Sequence, residues 1–303
     1  MSGCAQAVSY EERCVEVTNY LIQNLGAKEL EIIRYNEEDQ KLSNHIKIHL
    51  QQIEAKCREA KVHYKIINSN VVDDQLATKL SSSVKTLDVS CFTKYHVLSL
   101  LKTGRFKKVV YAPALVHNPP MQVIHQLKAV QVPGYSGLRV ANRDDFLFIL
   151  AGFEGYRALN IYKLLAPRVC VLCIGVPWFE PASLVKYVST AMEQNIMTVA
   201  STNVRIETVP STDAHAFAAR FVSLVKTYVQ RHESKPNIVT VPLGTKVQAV
   251  GLYLAHKNLP EMQVIYPVPE RYEQISRGFG KIVEINLDRD EVSQQLDTSI
   301  DRQ

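Results

Sequence analysis

Runs of β-branched residues alternate with helical-period segments along nearly the whole chain, and this alternation constrains the fold more than any other feature. Strands joined through helices return by crossover, so the pattern predicts parallel sheets flanked by helices. Strands are expected at Leu30–Arg34, Val62–Asn68, Thr86–Val89 and Lys108–Ala112. A second series follows at Phe146–Leu150, Val169–Gly175, Met197–Val199, Arg205–Thr208, Ile238–Val241, Gln263–Tyr266 and Lys281–Leu287. Helical patterns fill Tyr10–Leu25, Leu42–Ala60, Asp73–Ser82 and Tyr95–Lys102, then Tyr156–Leu165, Ala182–Gln194, Ala214–His232 and Val247–His256. Between the two series, Val132-Pro133-Gly134-Tyr135-Ser136-Gly137 concentrates turn residues. The expected fold is α/β, two Rossmann-like βα units in series with mostly parallel sheets. The first domain is expected over 1–134 and the second over 135–303, the latter carrying a phosphate-binding loop.

With 303 residues and 46% apolar content, the chain can bury one large core or two ordinary ones. A net charge of +5, spread along the chain, favours anionic ligands but is far from a nucleic-acid-binding stripe. Sequence-specific DNA binding is not expected. Glu11, Glu12 and Arg13 interrupt any apolar run near the start, and no window approaches the roughly 18 apolar residues of a membrane span. A cytoplasmic location with reduced thiols is the expectation for the six cysteines. Cys170 and Cys173 form a C-x-x-C inside a strand, where side chains three apart point to opposite faces, so they read as core. His45 and His49 sit four apart on a helix and would share a face, but no third ligand accompanies them. A polar, exposed helix face is the reading for this pair. Neither a metal nor a cofactor is expected.

In an open parallel sheet, ligands sit beyond the carboxyl ends of the strands, where helix N-termini present free N–H groups. Four loops answer to that position. Gly244-Thr245-Lys246 follows an apolar strand: Gly244 permits close backbone approach, Thr245 caps the helix, and Lys246 adds a charge. Gly251, downstream, permits tight packing of that helix on the sheet or on a partner. Gly152, Glu154, Gly155 and Arg157 form a second loop, in which Glu154 either meets a ribose hydroxyl, serves as a base, or pairs with Arg157 at the surface. Ser211 and Thr212 head a third loop, one of them capping the next helix. Ser90, Thr93 and Lys94 follow Asp88 in the first half and repeat the layout of the Gly244 loop. Trp178, the single Trp, reads as packing against the sheet in preference to stacking on a base.

Gly244-Thr245-Lys246-Val247-Gln248-Ala249-Val250-Gly251 resembles the Gly-Gly-Thr-Lys-x-Met-x-x-Gly motif of CRISPR-associated Rossmann fold (CARF) domains. Leu243 replaces the first Gly, and Gln248 stands where Met is usual. Two such units in series are also similar to SAVED sensor domains. The resemblance implies a pocket for cyclic oligoadenylates lined by the Thr-Lys end of the helix, in a homodimer or other homo-oligomer. It therefore implies a nucleotide-binding sensor of a phosphorylated or oligonucleotide ligand in antiviral defence. Two alternatives stay open: a phosphodiesterase that cleaves the bound oligonucleotide, and a non-catalytic subunit of a defence complex.

Overall fold

The computed structural model describes residues 3–36, 40–117, 128–137, 139–153, 155–177, 189, 191–193, 195–196, 204–268 and 276–288. The expected strand Met197–Val199, most of the expected helix Ala182–Gln194, Glu154 and Trp178 lie outside them. No helix among the described residues is long and apolar enough to cross a membrane.

The chain divides into two compact units, Met1–Asn118 with Glu273–Arg289, and Pro119–Tyr272 with Asp290–Gln303. Each is a mostly parallel sheet flanked by helices, the two Rossmann-like βα units expected.

The first unit contains β1 (Gly3–Val8), α1 (Arg13–Gln23), β2 (Glu29–Tyr35), α2 (Gln40–Glu59), β3 (His63–Ser69), α3 (Leu76–Lys79), β4 (Val84–Asp88), α4 (Lys94–Leu101) and β5 (Lys108–Tyr111). Short β6 (Val116–His117) follows. The second unit opens with β7 (Lys128–Gln131) and continues with β8 (Asp145–Ala151), α5 (Gly155–Leu165), β9 (Val169–Val176) and β10 (Val204–Pro210). It goes on through α6 (Ala214–Gln230), β11 (Asn237–Pro242), α7 (Lys246–His256) and β12 (Gln263–Val268). β13 (Ser276–Arg277) and β14 (Val283–Asn286) return to the first unit.

The strand orders are β14-β5-β4-β1-β2-β3 and β7-β12-β11-β8-β9-β10. The two orders match strand for strand. In each sheet five strands run parallel, and a sixth pairs antiparallel on the fifth: β14 on β5, and β7 on β12. β7 lies ahead of the expected junction at 134/135 yet joins the second sheet, while β14 lies far beyond it yet joins the first. A local pattern of side chains marks a strand but not its remote partner, so the division differs from the expected one at both ends.

Each sheet reverses its winding between its first and fourth strands, β1 and β4 in one unit, β8 and β11 in the other. Such a switch point opens a crevice beyond the carboxyl ends of the strands. Both central strands are buried on both faces, as a parallel sheet covered by helices requires. The cores are separate: Val8, Val17, Leu30, Ile32 and Ile53 pack in the first, and Leu147, Ile149, Ile161, Leu172 and Val241 in the second. Cys170 and Cys173 are both buried in β9, and burial pushes the Cys170 thiol up to about 12, so neither carries a thiolate.

In the second unit α6 packs along α7, and Gly251 sets how closely they approach. A Cβ there would meet the Ala214 carbonyl oxygen at 2.7 Å and the Phe217 ring at 2.5 Å. The expected close contact of Gly251 is thus with a neighbouring helix, and half of it is backbone that cannot rotate away. Gly251→Ala should lower stability by about 1–3 kcal/mol. Urea unfolding checks this as a lower midpoint at unchanged slope.

Candidate functional site

At the switch point of the second unit, the loops after β8 and β11 lie side by side because their strands pair directly. They touch through backbone: a Cβ on Gly152 would collide with the Leu243 carbonyl oxygen. Two of the loops singled out from sequence are therefore brought together. Glu154, read from sequence as part of the Gly152 loop, lies outside the described residues.

Thr245 is the N-cap of α7, its hydroxyl accepting from Gln248 N at 3.1 Å and donating to the Ser211 carbonyl at 2.9 Å. Gln248 answers with its side chain: Oε1 accepts from Thr245 N at 2.9 Å, completing a capping box. Its Nε2 donates to the Pro210 carbonyl at 3.2 Å. The carboxamide therefore links the α7 cap to the end of β10, and it is fully buried. Gly244 and Gly175 both leave the room it occupies, since a Cβ at either would run into it. Gly244 is thus explained by an internal side chain. Lys246, the first residue of α7, is partly exposed.

Ser211 is buried, its N donating to the Val176 carbonyl at 2.9 Å, and Thr212 is exposed. Neither caps α6. That role belongs to Asp213, whose Oδ1 accepts from His215 N at 2.9 Å and Ala216 N at 3.0 Å. Three residues with capping side chains stand in a row there, and the one adjacent to Ala214 reaches both amides. Gly155 begins α5 and is buried. Arg157 is buried too, donating from Nη2 to the Pro267 carbonyl of β12, with its guanidinium over the Tyr266 ring at 6.0 Å.

The first unit repeats the arrangement in its own residues. Thr93 caps α4, accepting from His96 N at 3.2 Å. His96 occupies the place of Gln248, fully buried, with Nδ1 2.7 Å from the Tyr35 hydroxyl and Nε2 accepting from Asp73 N at 3.2 Å. Because Nε2 accepts, the ring proton sits on Nδ1. Ser90 is buried and bonded to Asp88 Oδ1 and to Ala112 N at 2.8 Å, while Lys94 is partly exposed. Thr93-Lys94 and Thr245-Lys246 thus stand at equivalent positions, after the fourth strand of their sheets.

A cavity of about 250 Å³ opens at the carboxyl end of β1, lined by Tyr10, Glu11, Glu12, Arg13, His45, His49, Arg277 and Gly278. Lys246 does not line it. Arg13 is buried, pairing with Glu11 at 2.5 Å and donating to the Ala112 carbonyl at 3.0 Å. Burial opposes its charge, but Cys91 and Glu11 beside it hold the guanidinium protonated, with a net shift upward. Neighbouring Cys14 is pushed well up, first by its hydrogen bond with Cys91 and then by burial, so it stays a thiol.

His45 and His49 are half-buried in this cavity instead of standing on an exposed face. His49 Nδ1 lies 2.8 Å from the Ser9 carbonyl and donates to it. His45 Nδ1 is a buried atom with no hydrogen-bond partner among the described residues. No cluster of His, Cys, Asp and Glu suited to a metal occurs among the described residues. The spacing of the two histidines was visible in the sequence, but not that Arg277 and Gly278, over 200 positions away, would close the same cavity.

No protein-family model matches this chain, and no curated protein matches it either. Among solved structures it is similar to a Type III CRISPR defence DNA nuclease activated by cyclic oligoadenylate, at TM-score 0.53 and 8% identity. The two share a fold. The match covers 84% of this chain and 63% of that one, so this chain spans under two thirds of the nuclease's length. A periplasmic ribose ABC transporter from Conexibacter woesei and a protein from Mycobacterium smegmatis each align over 91% of this chain at 10% identity. They are covered over 95% and 98% of their own lengths, at TM-scores of 0.24 that establish no common fold.

Gln248→Ala would leave Thr245 N and the Pro210 carbonyl without their partner and open a void beside Gly175 and Gly244. The loss should be about 2–4 kcal/mol. Thermal unfolding should show the drop. Gln248→Glu should also destabilise, because a carboxylate accepts from Thr245 N but cannot donate to Pro210.

Proposed function

We propose that this protein is a nucleotide-binding sensor in antiviral defence, recognising a phosphorylated or oligonucleotide ligand at the N-terminal ends of α7 and α4. The observation that carries the reading is the repeated Thr-Lys at the start of these helices. Lys246 and Lys94 each follow a satisfied Thr cap, each is partly exposed, and each sits after the fourth strand of a Rossmann-like sheet. A helix N-terminus with an adjacent ammonium suits a phosphodiester. The fold shared with a nuclease activated by cyclic oligoadenylate gives the reading its ligand class.

In this reading Lys246 contacts phosphate with the backbone at Gly244 and Thr245 beside it, and Lys94 does so separately at the corresponding helix start of the first unit. Ser90, Thr93, Ser211 and Arg157 hold the loops in shape through the hydrogen bonds above. Thr212 and the Gly152–Gly155 loop, with Glu154, address sugar or base. The protein acts in the cytoplasm as a homo-oligomer, a point that light scattering checks.

Titration with cyclic oligoadenylates should show binding that weakens about 10- to 100-fold in Lys246→Ala. Thr245→Ser should retain it, since the hydroxyl and its cap survive. Chromatography of the ligand after incubation should recover it intact. Conversion would move the assignment to the phosphodiesterase reading, and absence of binding by the unaltered protein would sink the sensor.

A further inference from the structure

Of the six cysteines, five are buried and Cys91 alone is partly exposed. It stands in the loop between β4 and α4, and Cys14 lies in the first turn of α1. Because β1 and β4 pair directly, the loops that leave them start side by side. Cys91 packs against the core cluster that contains Cys14, and the two thiols share a hydrogen bond. Each has a second contact on the loop between β1 and α1. Cys14 Sγ donates to the Ser9 carbonyl at 3.7 Å, and Cys91 Sγ donates to Glu11 Oε2 at 3.9 Å. That loop is itself held, with Glu11 N donating to Ser9 Oγ at 2.9 Å and the Glu11 carboxylate paired with Arg13. Two thiols from distant parts of the chain are therefore fixed against each other, the outer one within reach of solvent and the inner one not.

The arrangement suits stepwise oxidation. A solitary exposed thiol that meets a peroxide becomes a sulfenic acid and then passes to acids that are not readily reduced, whereas a neighbouring thiol diverts it to a disulfide. Here the neighbour is already in contact. Its bond to Cys91 is the largest influence that keeps Cys14 a thiol, ahead of burial, and oxidation of Cys91 removes that influence. Cys170 and Cys173, the pair closest in sequence, are both buried in β9, so an oxidant meets neither first.

We propose that Cys91 and Cys14 form a site of reversible oxidation, with a hydroperoxide as the oxidant and a disulfide within one chain as the product. The Cys91 thiol takes one peroxide oxygen as the O–O bond breaks, giving a sulfenic acid and releasing an alcohol, or water from hydrogen peroxide. The Cys14 sulfur then attacks the Cys91 sulfur. The S–O bond breaks, and hydroxide leaves with the Cys14 proton as water. The two thiols give up two electrons, which the peroxide accepts, and a dithiol reductant reverses the change by exchange. The bond ties the first turn of α1 to the loop after β4, across the switch point of the first sheet. It also removes both thiol protons, so the Ser9 carbonyl and Glu11 lose these donors while Glu11 keeps Arg13. Where thiols are held reduced, a bond of this kind is transient, the form that redox-sensing disulfides take. The site does not rest on the sensor reading.

Treating the reduced full chain with hydrogen peroxide, then counting thiols and mapping peptides, tests this. Free thiols should fall from six to four, with the new bond joining Cys14 to Cys91 inside one chain, and dithiothreitol should restore all six. Cys14→Ser should leave Cys91 as a sulfenic acid that dimedone traps, with labelling about tenfold above that of the unaltered chain. Cys91→Ser should keep its five remaining thiols under the same treatment. An unchanged melting point under reducing conditions shows that the variants are folded, and the map of the unaltered chain needs no variant. The inference falls if the unaltered chain keeps six thiols in excess peroxide, if the bond joins other cysteines or two chains, or if Cys91 passes to sulfinic acid with Cys14 still free.

Discussion

The second unit is organised around one carboxamide. Where parallel strands end, the buried peptide groups beyond the last ladder bonds need partners from outside the sheet. Gln248 supplies them from the first turn of α7, accepting from Thr245 N and donating to the Pro210 carbonyl. The bonds close the α7 cap, fix the end of β10 and fill the space left by Gly175 and Gly244. His96 does the same work in the first unit, bound to Tyr35 and to the amide after β3. An imidazole achieves this only in one tautomer, and a carboxamide achieves it in one flip state. Both units thus spend the third residue of the helix after their fourth strand on stitching the carboxyl rim together.

That role changes how the glycine-rich rim is to be read. A glycine beside a helix N-terminus suggests a backbone bared for phosphate. At Gly244 the neighbour is instead a side chain of the same protein, and at Gly152 it is the Leu243 carbonyl. Thr245 follows suit, with its hydroxyl proton committed to Ser211. Lys246, next along the run, begins α7 and is partly exposed.

Much of the architecture was legible because a parallel strand covered on both faces must be apolar throughout. Val169–Val176 and Asp145–Ala151 announce themselves by that rule, and their helices by period. β1 escaped it. Gly3-Cys4-Ala5-Gln6-Ala7-Val8 holds one β-branched residue, yet it is the central strand of its sheet, its buried Gln6 satisfied by Thr18 at 2.8 Å. Small side chains serve there because the crowding comes from both flanking layers, and local propensity does not register that. The division into units was less legible, since β7 and β14 are recruited across long stretches of chain. At the sites, Thr-Lys at each helix start was readable from spacing. The Asp213 cap and the joining of His45, His49 and Arg277 were not, because both depend on geometry that residue type alone leaves undetermined.

The same topology carries two rims of different character. Around β8 and β11 the rim is closed: the loops touch through backbone, Gln248 fills the gap behind them, and Arg157 is turned to the Pro267 carbonyl. A ligand there has to lie outside the loops, over the first turn of α7, where Lys246 is. Around β1 the residue after the strand's loop is a buried arginine, and its ion pair with Glu11 needs room that a glycine turn does not. α2 meets this loop through the bond between His49 and the Ser9 carbonyl, and a cavity lies beside that contact. One rim is therefore closed at its loops, and the other holds a cavity. The difference follows from whether the helix after the first strand begins with Gly155 or with Arg13.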